Sequence, residues 1–265
     1  MPLTDSQFMR YSRHLLMDDI GERGQEKLLN AHVLIVGMGG LGCPVSLYLA
    51  AAGVGQLSIC DGDTVDVSNL QRQVLYKTQD CGQLKVDCAK MTLGELNPEL
   101  EITTYPKMIS THVLSQDYSI VVDCTDNLAA RQRLNEHCQQ QGIGFVSASA
   151  IGWEGQLVGF DFARSSNLCL NCIIDRESAE PVLNCTNAGV VGPVLGTMGT
   201  LQATMVLRML LGFFDHHGEM QRYDGKTGRW LNLHSKAKPE CAVCGGSAQN
   251  VRADEGSQRL TVINN

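Results

Sequence analysis

Residues 32–63 read HVLIVGMGGLGCPVSLYLAAAGVGQLSICDGD, and this stretch limits the fold more than any other. Residues 32–36 are a short apolar run rich in β-branched side chains, which predicts a buried strand. Gly37-Met38-Gly39-Gly40-Leu41-Gly42 follows at once and fits G-x-G-x-x-G. Residues 44–52, dominated by Ala and Leu, predict a helix that stops at Gly53. Residues 56–60 predict a second strand, with Asp61 at its end. Strand, glycine turn, helix, strand and acid together make a dinucleotide-binding unit. Gly37, Gly39, Gly40 and Gly42 let the backbone turn tightly and approach a phosphate at the helix N-terminus. Asp61 can accept hydrogen bonds from ribose hydroxyls. On this unit alone the default is an NAD- or FAD-binding enzyme.

The rest of the chain alternates strands and helices and then changes regime. A helix is expected over 6–29, with Phe8, Tyr11, Leu15 and Leu16 on one apolar face. A helix over 86–96 should stop at Asn97-Pro98. Strands are expected at 101–105 and 119–122, with a short helix near 111–115 between them. A helix over 126–141, with a cap candidate at its start, and a strand at 144–150 follow. Beyond lie a β-segment at 155–161, a loop-rich stretch at 165–186 and a Gly-interrupted helix at 190–211. Residues 219–224 and 229–234 form a hairpin pattern. This order predicts an α/β fold: a Rossmann-like nucleotide-binding sheet flanked by helices, with a C-terminal antiparallel sheet extension. No linker composition marks a boundary near Ala150. Residues 1–246 are therefore expected to be one domain: N-terminal helices 6–29, a core over 32–150 and an extension over 151–246. Residues 247–265 are expected to be a flexible tail.

A formal net charge of -7 with no basic run argues against nucleic-acid binding. No run of about 18 consecutive apolar residues predicts a membrane span. The polar N-terminus lacks a signal-peptide apolar region, so a cytoplasmic location is expected. Eleven cysteines in such a chain do not read as a disulfide framework. Four of them form two C-x-x-C pairs, Cys169 with Cys172 and Cys241 with Cys244. Four thiolates are the tetrahedral set that zinc prefers, and a closed shell predicts one structural zinc. A redox-active C-x-x-C is the competing reading. Cys60, Cys88, Cys124 and Cys138 fall in predicted strands or helices and read as small buried hydrophobes.

A further set of polar residues does not suit a dehydrogenase. Asn69-Leu70-Gln71-Arg72-Gln73, Lys85 and Asp123-Cys124-Thr125-Asp126-Asn127 suit a polyphosphate. Arg72 and Lys85, both in polar and loop-like surroundings, can neutralise phosphate charge. Asp126 follows a strand, at the edge of the sheet where ligands sit, and could hold magnesium with the phosphates. Taken singly, these residues read as solvated charges, and Asp126 as an ordinary helix cap.

Taken jointly, GMGGLG, Asp61-x-Asp63, SNLQRQ, Lys85, DCTDN, the two C-x-x-C pairs and NAGVVGPVLGTMGTLQA resemble the ThiF/MoeB/HesA adenylyltransferases. These are bacterial relatives of the ubiquitin-activating enzymes, and the resemblance covers roughly residues 6–246. Residues 184–193 are more similar to the thiamine branch of that family than to the molybdopterin branch. The resemblance implies adenylation of the C-terminal Gly-Gly carboxylate of a small ubiquitin-like sulfur carrier. ATP with Mg2+ is the implied substrate, and acyl-adenylate and pyrophosphate are the products. The activated carboxyl would become a thiocarboxylate for thiamine thiazole biosynthesis. Matching positions imply that Gly39 and its neighbours approach the nucleotide and that Asp61 holds the ribose. Asn69, Arg72 and Lys85 would hold phosphates, and Asp126, next to Asn127, would bind magnesium. Arg13 would reach into the other subunit's site of a homodimer. Cys185, in a polar segment outside both C-x-x-C pairs, is the candidate for sulfur transfer, with a sulfur donor protein as a further partner. The alternatives are the same reaction on a molybdopterin-pathway carrier and, more remotely, an NAD-dependent oxidoreductase.

Overall fold

The computed structural model describes residues 2–165, 167–174 and 189–245. Cys185 and the 247–265 tail lie outside these residues. Eight strands form one sheet: β1 (His32–Val36), β2 (Gln56–Cys60), β3 (Glu101–Tyr105), β4 (Ile120–Asp123), β5 (Gly144–Ile151), β6 (Glu154–Asp161), β7 (Glu219–Asp224) and β8 (Arg229–His234). Their spatial order is β3-β2-β1-β4-β5-β6-β7-β8. The first five run parallel, and every pairing from β5 onward is antiparallel. The sheet runs unbroken past Ala150, because β5 and β6 pair from Gly144↔Asp161 to Ile151↔Glu154. Strand order reverses at β1, which has β2 on one side and β4 on the other. Ligands of open α/β sheets bind at the carboxyl ends of the strands flanking such a point.

Nine α-helices among the described residues flank the sheet: α1 (Asp5–Arg10), α2 (Ser12–Leu15), α3 (Gly21–Leu29), α4 (Gly42–Ala52), α5 (Lys85–Leu96), α6 (Thr111–Leu114), α7 (Leu128–Gln141), α8 (Leu170–Ile173) and α9 (Gly192–Leu211). Side chains alternate across β1. Val33 and Ile35 join the core that contains Leu49, Leu93 and Val206. Leu34 and Val36 join the opposite core with Phe145, Phe160 and Leu134. Helix α9 is long and apolar enough to cross a membrane by composition, yet Met198, Ala203 and Val206 are spent on the core. Its Gly199 lets it approach α4, since a Cβ there would stand 2.5 Å from Pro44 Cγ.

The expected single helix over 6–29 is three helices. Tyr11 ends α1, is only 2% exposed and accepts a hydrogen bond from Asn97 Nδ2 at 3.1 Å. Gly21, at φ 53°, opens α3 after a turn. Of the expected apolar face only Tyr11 is buried, while Phe8 is 39% and Leu16 75% exposed. Helix α7 starts two residues later than expected. Its N-cap is Asn127, whose side chain accepts from Ala130 N at 3.1 Å, so Asp126 is not the cap.

Candidate functional site

A cavity of about 710 Å³ opens at the carboxyl ends of β1, β2, β4 and β5, around the point where strand order reverses. That volume suits a nucleotide-sized ligand. Its floor is the glycine turn between β1 and α4. Gly37 has φ 93°, and a Cβ there would meet Cys124 O at 2.6 Å. A Cβ on Gly42 would meet Gly37 O at 2.0 Å. These two glycines serve the close approach of helix to strand. Gly42 does not line the cavity, while Gly37, Gly39 and Gly40 do. No side chain caps α4, so the positive end of its backbone dipole remains for an anion.

Asp61, at the end of β2, organises the rim. One carboxylate oxygen accepts from Met38 N at 2.7 Å, in the glycine turn. The other accepts from Asp63 N at 2.8 Å. The next carboxylate, Asp63, pairs with Lys85 Nζ at 2.9 Å. Lys85 is not in a loop as expected. It opens α5 and is only 5% exposed. Arg72 is half-buried, with its guanidinium on Ser68 O at 3.0 Å, and Asn69 lies one turn before it. Both line the cavity, as do Asp126 and Asn127 on the opposite rim.

Beneath that rim lies a buried ionic network the sequence did not announce. Asp123 is fully buried, and Arg131 Nε, Ser147 Oγ, Thr125 N and Thr125 Oγ1 all donate to its carboxylate, at 2.6, 2.7, 3.0 and 2.7 Å. Arg131 also donates to Thr125 O at 2.8 Å and Ala148 O at 3.0 Å. The network pins Thr125 at three atoms, so Asp126 projects from a fixed backbone. Its only sequence signal is an acid at a strand end and an arginine eight positions later. Replacing Asp123 by Asn removes the charge and keeps the shape. Asp123→Asn should cost about 2 kcal/mol and lower Tm by about 5 °C. Thermal unfolding reads this directly, and an unchanged Tm would mean the pair contributes no net stability.

No histidine lines the cavity among the described residues. Two cysteines do, Cys60 and Cys124. Burial pushes the Cys60 thiol up to about 11 and holds the Cys124 thiol well above the usual thiol range. Neither offers a thiolate near neutral pH. Among the described residues, the polar lining of the cavity is charged and amide groups such as Arg72, Lys85, Asp126 and Asn127. Arg13 is exposed on α2 and does not line its own chain's cavity.

The four C-x-x-C cysteines meet in the core that holds Leu34, Leu134 and Phe160. Their Sγ atoms all lie within 4.8 Å of one another, and all four residues are buried. The nearest approaches run between the pairs: Cys169 to Cys241 at 3.7 Å and Cys172 to Cys244 at 3.4 Å. A tetrahedron with Zn–S bonds of about 2.3 Å has S···S edges of about 3.8 Å. The donor set therefore fits zinc. Gly245 closes the second turn, where a Cβ would stand 2.6 Å from Cys241 O. Asn135 of α7 holds the first turn by accepting from Leu170 N at 2.9 Å.

The ThiF family model matches residues 11–243. The chain belongs to the ThiF family. Among ThiF-family relatives, it is 43% identical to the sulfur carrier protein ThiS adenylyltransferase of Escherichia coli, over 92% of this chain and 98% of that one. It is 38% identical to the molybdopterin-synthase adenylyltransferase of Salmonella typhimurium, over 92% and 98% of the two chains. The fold is also that of E. coli MccB solved with ATP, with a TM-score of 0.76 and 22% identity, covering 89% of this chain and 74% of that one.

Proposed function

We propose that this protein adenylates the C-terminal Gly-Gly carboxylate of a small ubiquitin-like sulfur carrier, consuming ATP and releasing pyrophosphate. One observation carries the reading: the glycine turn, Arg72, Lys85 and Asp126 converge on one cavity at the switch point of the sheet. The 43% identity to a ThiS adenylyltransferase supports a carrier of the thiamine pathway. The 38% identity to a molybdopterin-synthase adenylyltransferase supports the alternative carrier, by the same chemistry.

The reaction follows from the charges. The carrier carboxylate oxygen forms a bond to the α-phosphorus, and the bond from that phosphorus to the pyrophosphate oxygen breaks. Pyrophosphate leaves with the electron pair. A carboxylate is already ionised at neutral pH, so no general base is needed. The obstacle is anion approaching anion, which preorganised positive charge and positioning lower. Arg72, Lys85 and the uncapped end of α4 supply that charge. Asp61 and Asn69 orient ribose and phosphate. Asp126, which is not spent on capping α7, would hold Mg2+, whose charge would offset that of the pyrophosphate. Cys169, Cys172, Cys241 and Cys244 would hold zinc, which would tie residues 169–172 to residues 241–244 and, with four thiolate ligands, would leave no open position for catalysis. The same reading places the protein in the cytoplasm as a homodimer in which Arg13 completes the partner's site.

The test is ATP–pyrophosphate exchange with each carrier offered separately. Exchange with a thiamine-pathway carrier and not with its molybdopterin counterpart is expected. NAD turnover without exchange would sink the reading. Cys185→Ser, assayed alongside, should keep exchange and lose thiocarboxylate formation. Normal thiocarboxylate formation would remove Cys185 from the sulfur route.

A further inference from the structure

Helix α9 carries a fully buried amide, Gln202, amid the core residues Met198, Ala203 and Val206. An amide in such surroundings forfeits its hydration and persists only with its hydrogen bonds made. Both ends of this one bond a single short piece of chain. Nε2 donates to Asp123 O at 2.9 Å, and Oε1 accepts from Cys124 Sγ at 3.7 Å. Asp123 is the last residue of β4, and Asp126 comes three positions later. The Cys124 N–H still donates to Val36 O at 2.8 Å, and beyond it the chain leaves the sheet for the cavity rim. Gln202 grips the chain where it departs. The glycine turn touches the same piece, since a Cβ on Gly37 would stand 2.6 Å from Cys124 O and 3.2 Å from Thr125 N. Gln202 also belongs to a stripe. Residues 192, 195, 199 and 202 share one face of α9. A Cβ on Gly192 would stand 2.8 Å from Gln71 O, one on Gly40 would stand 2.6 Å from Leu195 Cδ1, and one on Gly199 would stand 2.7 Å from Leu41 O. One helix therefore meets the Arg72 segment, the glycine turn and the Asp123–Cys124 corner in succession.

We propose that Gln202 is a positioning residue: by holding the Asp123–Cys124 corner against α9, it sets the Asp126 carboxylate relative to the glycine turn, so that both serve one magnesium–nucleotide complex. The inference rests on the ATP reading above, in which Asp126 holds magnesium. The choice of an amide supports it. Methionine would fill similar space without desolvating a polar group, so the amide is explained by where its bonds end. Magnesium takes near-octahedral oxygens at about 2.0–2.1 Å, which leaves a displaced carboxylate little tolerance. Groups that orient a metal ligand without touching the metal typically change metal affinity by about 10- to 100-fold when removed.

Calorimetry of ATP binding, with magnesium and with a chelator in its place, separates positioning from packing. Gln202→Met should lower Tm by about 5 °C or less and bind magnesium-free ATP about as well as wild type. The gain in ATP affinity on adding magnesium should shrink about 10-fold. Asp126→Asn should lose that gain, and Gln202→Met added to Asp126→Asn should lose nothing more, because the two act through one carboxylate. Gln202→Asn keeps a polar amide but is one methylene too short to reach the corner. It should repeat the loss and serves if methionine is not accepted. A magnesium gain within two-fold of wild type would overturn the assignment. So would equal losses with and without magnesium, a further loss in the double variant, or failure of both Gln202 variants to fold. Wild-type protein that binds no ATP, or gains nothing from magnesium, would overturn the reading beneath it as well. A normal gain in wild type and Gln202→Met alike would overturn the assignment alone.

Discussion

Lys85→Ala should lower the rate of adenylate formation by about two orders of magnitude or more while the protein stays folded. The loss follows from position. Lys85 Nζ is nearly buried at the first turn of α5, held at 2.9 Å by Asp63, on the wall of the cavity proposed for ATP. A preorganised charge aimed at developing negative charge is worth about that much in rate. The stability cost should be small, because the partner left behind, Asp63, is 71% exposed and stays solvated. The lost pair is worth about 1 kcal/mol, or a fall in Tm of about 3 °C. Pyrophosphate exchange and thermal melting measure the two effects separately. Activity within a few-fold of wild type would remove Lys85 from the site. The same variant probes the assembly. If Arg13 completes the partner's cavity, Arg13→Ala mixed with Lys85→Ala should recover part of the activity, since mixed dimers carry one intact site. No recovery despite demonstrated subunit exchange would place Arg13 outside the partner's site.

Removing metal should have the second large effect. Purified protein should contain about one zinc per chain. Stripping it leaves four buried thiols with sulfurs 3.4 to 3.7 Å apart in the closest pairs and no ion to hold them. Binding free energy at such a site is folding free energy, so Tm should drop by at least about 10 °C. Cys241→Ser should reproduce much of that loss. Cys81→Ser, at an exposed cysteine outside the cluster, should not. Zinc-free protein melting at the temperature of the native protein would refute the site. Reversible disulfide formation within each C-x-x-C pair would favour redox chemistry instead.

The sequence was most legible where structure is local. The runs expected at 32–36, 56–60, 101–105, 219–224 and 229–234 coincide with β1, β2, β3, β7 and β8. Short β-branched or alternating segments bounded by turn residues leave little choice. The glycine turn was legible because two of its glycines are demanded by contacts no side chain would allow. What failed depends on partners far along the chain. Nothing near Tyr11 announces Asn97, 86 residues on, whose bond to the Tyr11 hydroxyl accompanies the break in the N-terminal helix. Lys85 looked loop-like because Asp63 lies 22 positions away. Asp126 and Asn127 are both competent caps, and the choice falls to Asn127 because Asp123 and Arg131 fix the intervening backbone. Cavity residues could be named from sequence, but the buried pair beneath them could not. An acid and an arginine eight apart look like two solvated charges until the strand and helix pack.

The two carboxylate oxygens of Asp61 tie Met38 in the glycine turn and Asp63 beside Lys85 to a single side chain. A substitution there is a compound perturbation. It loosens the phosphate cradle and the cation's anchor at once, whatever it does to a ribose. Lost activity in Asp61→Ala would thus overstate the value of a sugar contact. Only a comparison of ribose-modified and unmodified nucleotides on the same variant could divide the effect into its parts.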